Sequence, residues 1–149
     1  MRVNLYFFCI VLGIFGGSCS PKNNANIEGT VIYLVRHAEK DLIDTTDDPP
    51  LTVEGYERAE KLVEELSDAP PDVIYSTPYQ RNLNTVKPLA EKYGVDIQTY
   101  EWHDTESLSH TILEDHPGET VLVCGHGDNL LPLIGQLGAE PPLDSLGTH

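Results

Sequence analysis

Basic residues are scarce in this chain. Nine Lys and Arg stand against 24 Asp and Glu, a formal net charge of −15. Such a surface repels nucleic acid and anionic lipid, which argues against both as ligands of the folded domain. It also repels a phosphorylated ligand at long range, so any anion site must be a local concentration of positive charge. Cysteine is scarce as well, with three in 149 residues. Cys9 and Cys19 lie in the first twenty residues, and only Cys124 lies in the part expected to fold. Alone there, it has no disulfide partner within the domain, and no CxxC or paired Cys/His spacing points to zinc. Its apolar surroundings read as those of a small buried hydrophobe. Its place two residues before His126 leaves a reactive thiol as the alternative. No apolar run is long enough for a comfortable membrane span. No internal repeat or long low-complexity tract is evident.

The longest apolar run, Val3 to Phe15, follows Met1-Arg2 and leads through Gly16-Gly17-Ser18 to Cys19. A basic start, an apolar middle and small residues before a cleavage point make a secretory signal. The small residues before Cys19, with Ser20-Pro21-Lys22-Asn23-Asn24 after it, resemble a bacterial lipoprotein signal, although Gly16 stands where Leu is usual. That resemblance implies a signal peptide over 1–19 with Cys19 as the lipidated first residue of the mature protein. It implies export to the bacterial cell envelope or periplasm, with the membrane met only through the N-terminal lipid anchor. A plain cleaved signal and an uncleaved anchor are the alternatives. Residues 20–29 are polar and read as a linker, and the domain is expected over 30–149.

Within that domain, strands alternate with helices. Strands are expected over 30–36, 72–76, 95–100 and 119–124. Helices are expected over 53–67 with Thr52 as N-cap, 78–93 closed by Gly94, 105–115, and 128–137 with Asp128 as its cap. Pro88 should kink or split the second helix. The pattern predicts an α/β three-layer sandwich, a mainly parallel central sheet with helices on both faces.

Short apolar strands that end in polar groups deliver those groups to the carboxyl rim of such a sheet, where ligands bind. Val31 to Val35 ends in Arg36-His37. Val73-Ile74-Tyr75-Ser76-Thr77-Pro78 leads to Arg81. Thr120 to Gly125 leads to His126. Two histidines and two arginines therefore converge on one rim. A neutral imidazole can attack phosphorus and carry a phosphoryl group. Neighbouring cations favour that neutral form, and guanidinium groups bind phosphate oxygens in a planar fork. The residues alone leave open which histidine attacks.

Val35-Arg36-His37-Ala38-Glu39-Lys40 resembles the Arg-His signature of the histidine phosphatase superfamily, the phosphoglycerate-mutase-like fold. Leu51-Thr52-Val53-Glu54-Gly55 resembles its Leu-Thr-x-x-Gly helix start. Ser76 to Thr85 resembles its Ser-x-x-x-Arg-x-x-x-Thr segment, and Val123-Cys124-Gly125-His126-Gly127 resembles its Gly-His segment. The ordered set covers about 30–138. The resemblance implies that His37 becomes phosphohistidine, that Arg36, Arg81 and His126 hold the phosphoryl group, and that no metal or other cofactor is required. Many members carry a general acid on a long insertion after the third strand. Here that connection is short, and Asp104 and Glu106 are the candidates nearest the strand end, while other branches of the superfamily place an acid near the position of Asp128. The resemblance is to the small, minimal members.

The expected activity is metal-independent hydrolysis of phosphomonoesters, on a phosphorylated small molecule or a phosphoprotein. A phosphoglycerate-mutase-type phosphotransferase and a non-catalytic phosphate- or phosphopeptide-binding envelope lipoprotein are the alternatives. Family members usually add a strand after the fourth helix, and residues 144–149 read like its approach. Trp102 is expected to pack in the core, with a place over the site mouth as the alternative. His103 and His110 are expected to be exposed, and His116 to end the third helix.

Overall fold

A computed structural model describes residues 10–13 and 29–141. Five strands form one sheet in the order β1-β2-β5-β3-β4. They are β1 (Ile10–Gly13), β2 (Val31–Arg36), β3 (Val73–Ser76), β4 (Ile97–Thr99) and β5 (Thr120–Gly125). The helices are α1 (Val53–Glu65), α2 (Gln80–Tyr93), α3 (Thr105–Asp115) and α4 (Gly127–Gln136). Strands β2 to β5 are mutually parallel, and β1 alone runs antiparallel, against β2. Strand β1 lies within the apolar run read from sequence as an export signal, so sequence reasoning expected no strand there. Cys19 and most of the 1–29 region lie outside the described residues, as do residues 142–149 with the expected approach to a further strand.

The layers follow from the period-two alternation of the buried strands. Ile32, Leu34, Val73, Tyr75, Val121 and Val123 face α3 and α4, where Leu108, Ile112, Leu130 and Leu133 meet them. Val35, Ile74, Leu122 and Cys124 face the other way, onto Leu62 and Val63 of α1 and Val86 and Leu89 of α2. Both sheet faces are therefore covered, which is the expected three-layer sandwich. Cys124 is fully buried, and burial pushes its thiol up to about 12, so it is a core residue rather than a nucleophile.

Local chemistry sets the ends of the elements. Thr52 caps α1 by accepting from the Gly55 N–H at 3.1 Å. The backbone N–H of Thr52 in turn donates to the Glu39 carbonyl. A Cβ on Gly55 would stand 2.4 Å from that same carbonyl oxygen, which is why only glycine fits there. Gly94 closes α2 in the left-handed region with φ of 67°. Val95 then donates back to Ala90, so β4 starts at Ile97, later than the expected 95. Pro88 does not split α2, which runs unbroken through it with Leu89 and Ala90 buried just beyond. Packing of that last turn on the sheet outweighs the hydrogen bond the proline removes.

Helix α4 starts one residue before the expected 128, and its N-cap is His126 rather than Asp128. The Asn129 side chain accepts from the His126 backbone N–H at 2.8 Å and fixes the chain at that point. Among the described residues, no helix is long and apolar enough to cross a membrane.

Candidate active site

The carboxyl ends of β2, β5 and β3 converge, as the strand pattern implied. His37, just past β2, donates its backbone N–H to the Gly125 carbonyl at 3.1 Å, at the end of β5. Its ring Nδ1 lies 2.8 Å from the carbonyl of Ala38. A carbonyl only accepts, so Nδ1 carries the ring proton and Nε2 keeps its lone pair in the neutral ring. Burial holds the His37 imidazole down to about 4, the Ala38 carbonyl opposes that shift, and Arg81, Arg36 and Lys40 add to it. The ring is therefore neutral at pH 7.

His126 stands beside it, with ring centroids 5.3 Å apart and planes at 63°. Its Nε2 lies 3.0 Å from the Thr77 hydroxyl. Burial, then His37 and Arg81, hold this imidazole down to about 4 as well. Tyr79 meets His126 edge-on with centroids 5.3 Å apart.

Arg81, in the first turn of α2, is almost wholly buried. Its guanidinium carbon lies 4.5 Å from the centre of the Tyr79 ring, and one terminal nitrogen lies 3.5 Å from Asp48. Its Nε is buried with no hydrogen-bond partner among the described residues. Arg36 is half-buried, and desolvation lowers its pKa while Asp128 opposes that shift. The arrangement sets two guanidinium groups and two neutral imidazoles around one position. It is a cationic centre inside an acidic protein, suited to an oxyanion with several oxygens.

The carboxylates divide differently from the expectation. Asp104 is the N-cap of α3 and accepts from the Ser107 N–H at 3.2 Å. Glu106 is exposed in the first turn of that helix. The carboxylate whose charge acts on both His126 and Arg36 is Asp128. It accepts the indole N–H of Trp102 at 3.2 Å. Trp102 is not in either core: its ring lies 5.2 Å from that of His126, and exposed His103 stacks on its other side at 4.6 Å. An aromatic that was expected to pack in the core thus lines the site.

Sequence reasoning also passed over Thr77, Tyr79, Thr85 and Asn129. All but Asn129 lie within the same Ser76–Thr85 segment as Arg81, and that position was the one available signal. Asn129 lies three residues beyond His126. Among the described residues, no group of three or more His, Cys, Asp or Glu side chains is placed to hold a metal ion.

An α/β domain thus gathers Arg-His, Arg and His at its strand ends, a set of groups suited to an oxyanion. The family model of the histidine phosphatase superfamily (branch 1) matches residues 32–102, which include Arg36, His37 and Arg81. A 2,3-bisphosphoglycerate-dependent phosphoglycerate mutase of Thermoplasma acidophilum is 32% identical over 75 residues. That match covers 46% of this chain and 38% of the mutase, so the chain spans well under half of this relative. The fold is shared with the protein histidine phosphatase SixA complexed with tungstate, at a TM-score of 0.65 and 19% identity, covering 75% of this chain and 80% of that one. It is also shared with a phosphoserine phosphatase mutant from Entamoeba histolytica in complex with phosphoserine. There the TM-score is 0.61 and the identity 17%, over 75% of this chain and 82% of that one. Over residues 32–102 the chain is thus similar to the histidine phosphatase superfamily, and over most of its length it shares the fold of these structures.

Proposed function

We propose that this protein is a phosphomonoesterase that works through a phosphohistidine on His37. The lone pair of His37 Nε2 attacks phosphorus, and the bond from phosphorus to the ester oxygen breaks. The leaving oxygen takes a proton, which we assign to Asp128, the carboxylate beside His126 and Arg36. Water then attacks the phosphohistidine, gives its proton to Asp128, and releases inorganic phosphate. Arg36 and Arg81 neutralise the charge spread over the three transferred oxygens, with the neutral His126 ring beside them. With that charge met by side chains, the reading requires no metal.

One observation carries the proposal. The His37 ring has its Nδ1 tied to the Ala38 carbonyl, stands among cations, and is held down to about 4, so a free Nε2 lone pair is present at neutral pH. The substrate class is a phosphorylated small molecule or a phosphoprotein. We further propose that the protein is exported and anchored through a lipid on Cys19, after a cleavage that would take β1 out of the sheet and leave β2 to β5 as its strands. This rests on the signal pattern of residues 1–19 and is tested by fractionating cells that express Cys19→Ala.

The central test is hydrolysis of an aryl phosphate ester in EDTA by the protein and by His37→Ala. Phosphate release that survives EDTA and is lost in the variant is the expected result. Acid-labile phosphate on the quenched protein should accompany it. Binding of phosphate without any turnover would replace the enzyme reading with that of a binding module.

A further inference from the structure

One buried hydroxyl links the second arginine's helix to the residue whose carbonyl holds the His37 ring. Thr85 lies on α2, one turn after Arg81, and is 1% exposed. Its hydroxyl donates to the Arg81 carbonyl at 2.7 Å. A hydroxyl has one proton, so with that proton committed its oxygen can only accept from other groups. It accepts the backbone N–H of Ala38 at 2.9 Å. The carbonyl of the same residue, Ala38, takes the Nδ1 proton of His37. The hydrogen bonds therefore run in one direction, from the His37 ring to the Ala38 carbonyl, and from the Ala38 N–H through Thr85 to the Arg81 carbonyl.

The other side of His37 is held from the same helix. Asn82, fully buried, donates to the Gly125 carbonyl at 2.9 Å, and that carbonyl also accepts the His37 backbone N–H. Helix α2 thus grips the chain on both sides of the histidine. Val, isosteric with Thr, would keep the volume and lose both hydrogen bonds.

We propose that Thr85 is a positioning residue that anchors the Ala38 backbone N–H, and through the Ala38 Cα the carbonyl that sets the tautomer and orientation of the His37 ring. It touches no substrate, and its effect on turnover is carried by His37. The inference rests on the reading that His37 Nε2 is the nucleophile. Loss of the Thr85 hydroxyl frees the His37–Ala38 peptide and, through the shared Ala38 Cα, loosens the carbonyl beyond it, so the Nδ1 proton loses its fixed acceptor and part of the population carries its proton on Nε2, where it cannot attack.

The experiment compares the full-length protein with Thr85→Val, Thr85→Ala and Thr85→Ser. Nitrogen-15 spectra of the His37 ring report its tautomer at neutral pH, without substrate. Aryl phosphate hydrolysis supplies kcat and KM. The wild type and Thr85→Ser should show the Nδ1–H tautomer. Val and Ala should show a mixture, with kcat down about tenfold and KM changed far less, the size expected when a reacting group is misplaced rather than removed. An unchanged tautomer in folded Val or Ala variants overturns the proposal, as does a loss in Ser equal to that in Ala. Should Val fail to fold, the Ser and Ala pair decides alone, and failure of both Val and Ala to fold while Ser folds with unchanged kcat makes the hydroxyl a structural bond only and overturns it too. If the wild type hydrolyses nothing, the nucleophile reading fails, and the tautomer spectra still decide whether Thr85 orients the ring.

Discussion

Trp102 donates its indole N–H to the Asp128 carboxylate across 3.2 Å, joining the β4–α3 connection to the first turn of α4. The bond holds a carboxylate near His126 and Arg36, on the rim where a leaving group must depart. If Asp128 protonates that group, its removal should matter most for esters whose alcohols are poor leaving groups. Asp128→Asn is expected to lower kcat by about 10²-fold for an alkyl or phenyl phosphate, within the usual range for a general acid. A nitrophenyl ester, which leaves without help, should lose far less. The check is a series of aryl phosphates of graded leaving-group pKa. A loss of equal size across the series would remove the acid role.

Asp104 gives the contrasting case. Its side chain accepts from the Ser107 N–H and caps α3. Asp104→Ala should therefore cost about 1 kcal/mol of stability, the usual worth of an N-cap. It should leave kcat unchanged. Urea denaturation alongside the same ester assay separates the two effects, and a drop in kcat at unchanged stability would restore Asp104 as a catalytic carboxylate.

Gly125 is a site of close approach. A Cβ there would stand 2.6 Å from Asn129 Oδ1 and 2.8 Å from both Leu130 Cδ2 and the Tyr100 hydroxyl. The Asn129 oxygen is the group that accepts from the His126 backbone N–H. Gly125→Ala should thus act twice, destabilising by about 1–3 kcal/mol as overpacked positions do, and lowering kcat through a displaced His126. Thermal unfolding and kcat measured on the same sample check both. Unchanged values would mean that the strand end can shift without cost.

What was legible in the sequence divides along the line between local and tertiary causes. Thr52 and Gly94 announced the ends they form, because a cap or a left-handed turn depends on a few adjacent residues. The short apolar runs Val31 to Arg36 and Thr120 to Gly125 marked buried parallel strands, and their polar ends marked the rim. The place of Ile10–Gly13 was not legible, since an apolar run says nothing about which edge it pairs with. Asp128 was read as a cap because Asp is a good one. The extended backbone at His126 and the reach of Asn129 started the helix earlier. Trp102 was read as core because its area favours burial. Its position against His126 follows from where β4 and α4 end relative to each other, which no local pattern encodes.

The two imidazoles also tie stability to pH. Each is held down from 6.5 to about 4 in the folded protein, chiefly by burial. As pH falls through 6.5, the unfolded chain takes up a proton on each ring, while the folded chain does so only near 4. The unfolded state thus binds more protons across that window, and stability rises with pH there. The contribution of the two rings is complete above 6.5 and is lost progressively as pH falls toward 4. Carboxylates titrate in the same range and add slopes of their own, so the comparison must be internal. Urea midpoints of the wild type and of His126→Asn, taken at several pH values between 4 and 7, isolate one ring. The wild type is expected to lose more stability on acidification than the variant, because only the wild type carries the depressed ring. Parallel curves would mean that His126 protonates as readily folded as unfolded, and the neutral imidazole pair on the rim would have to be abandoned.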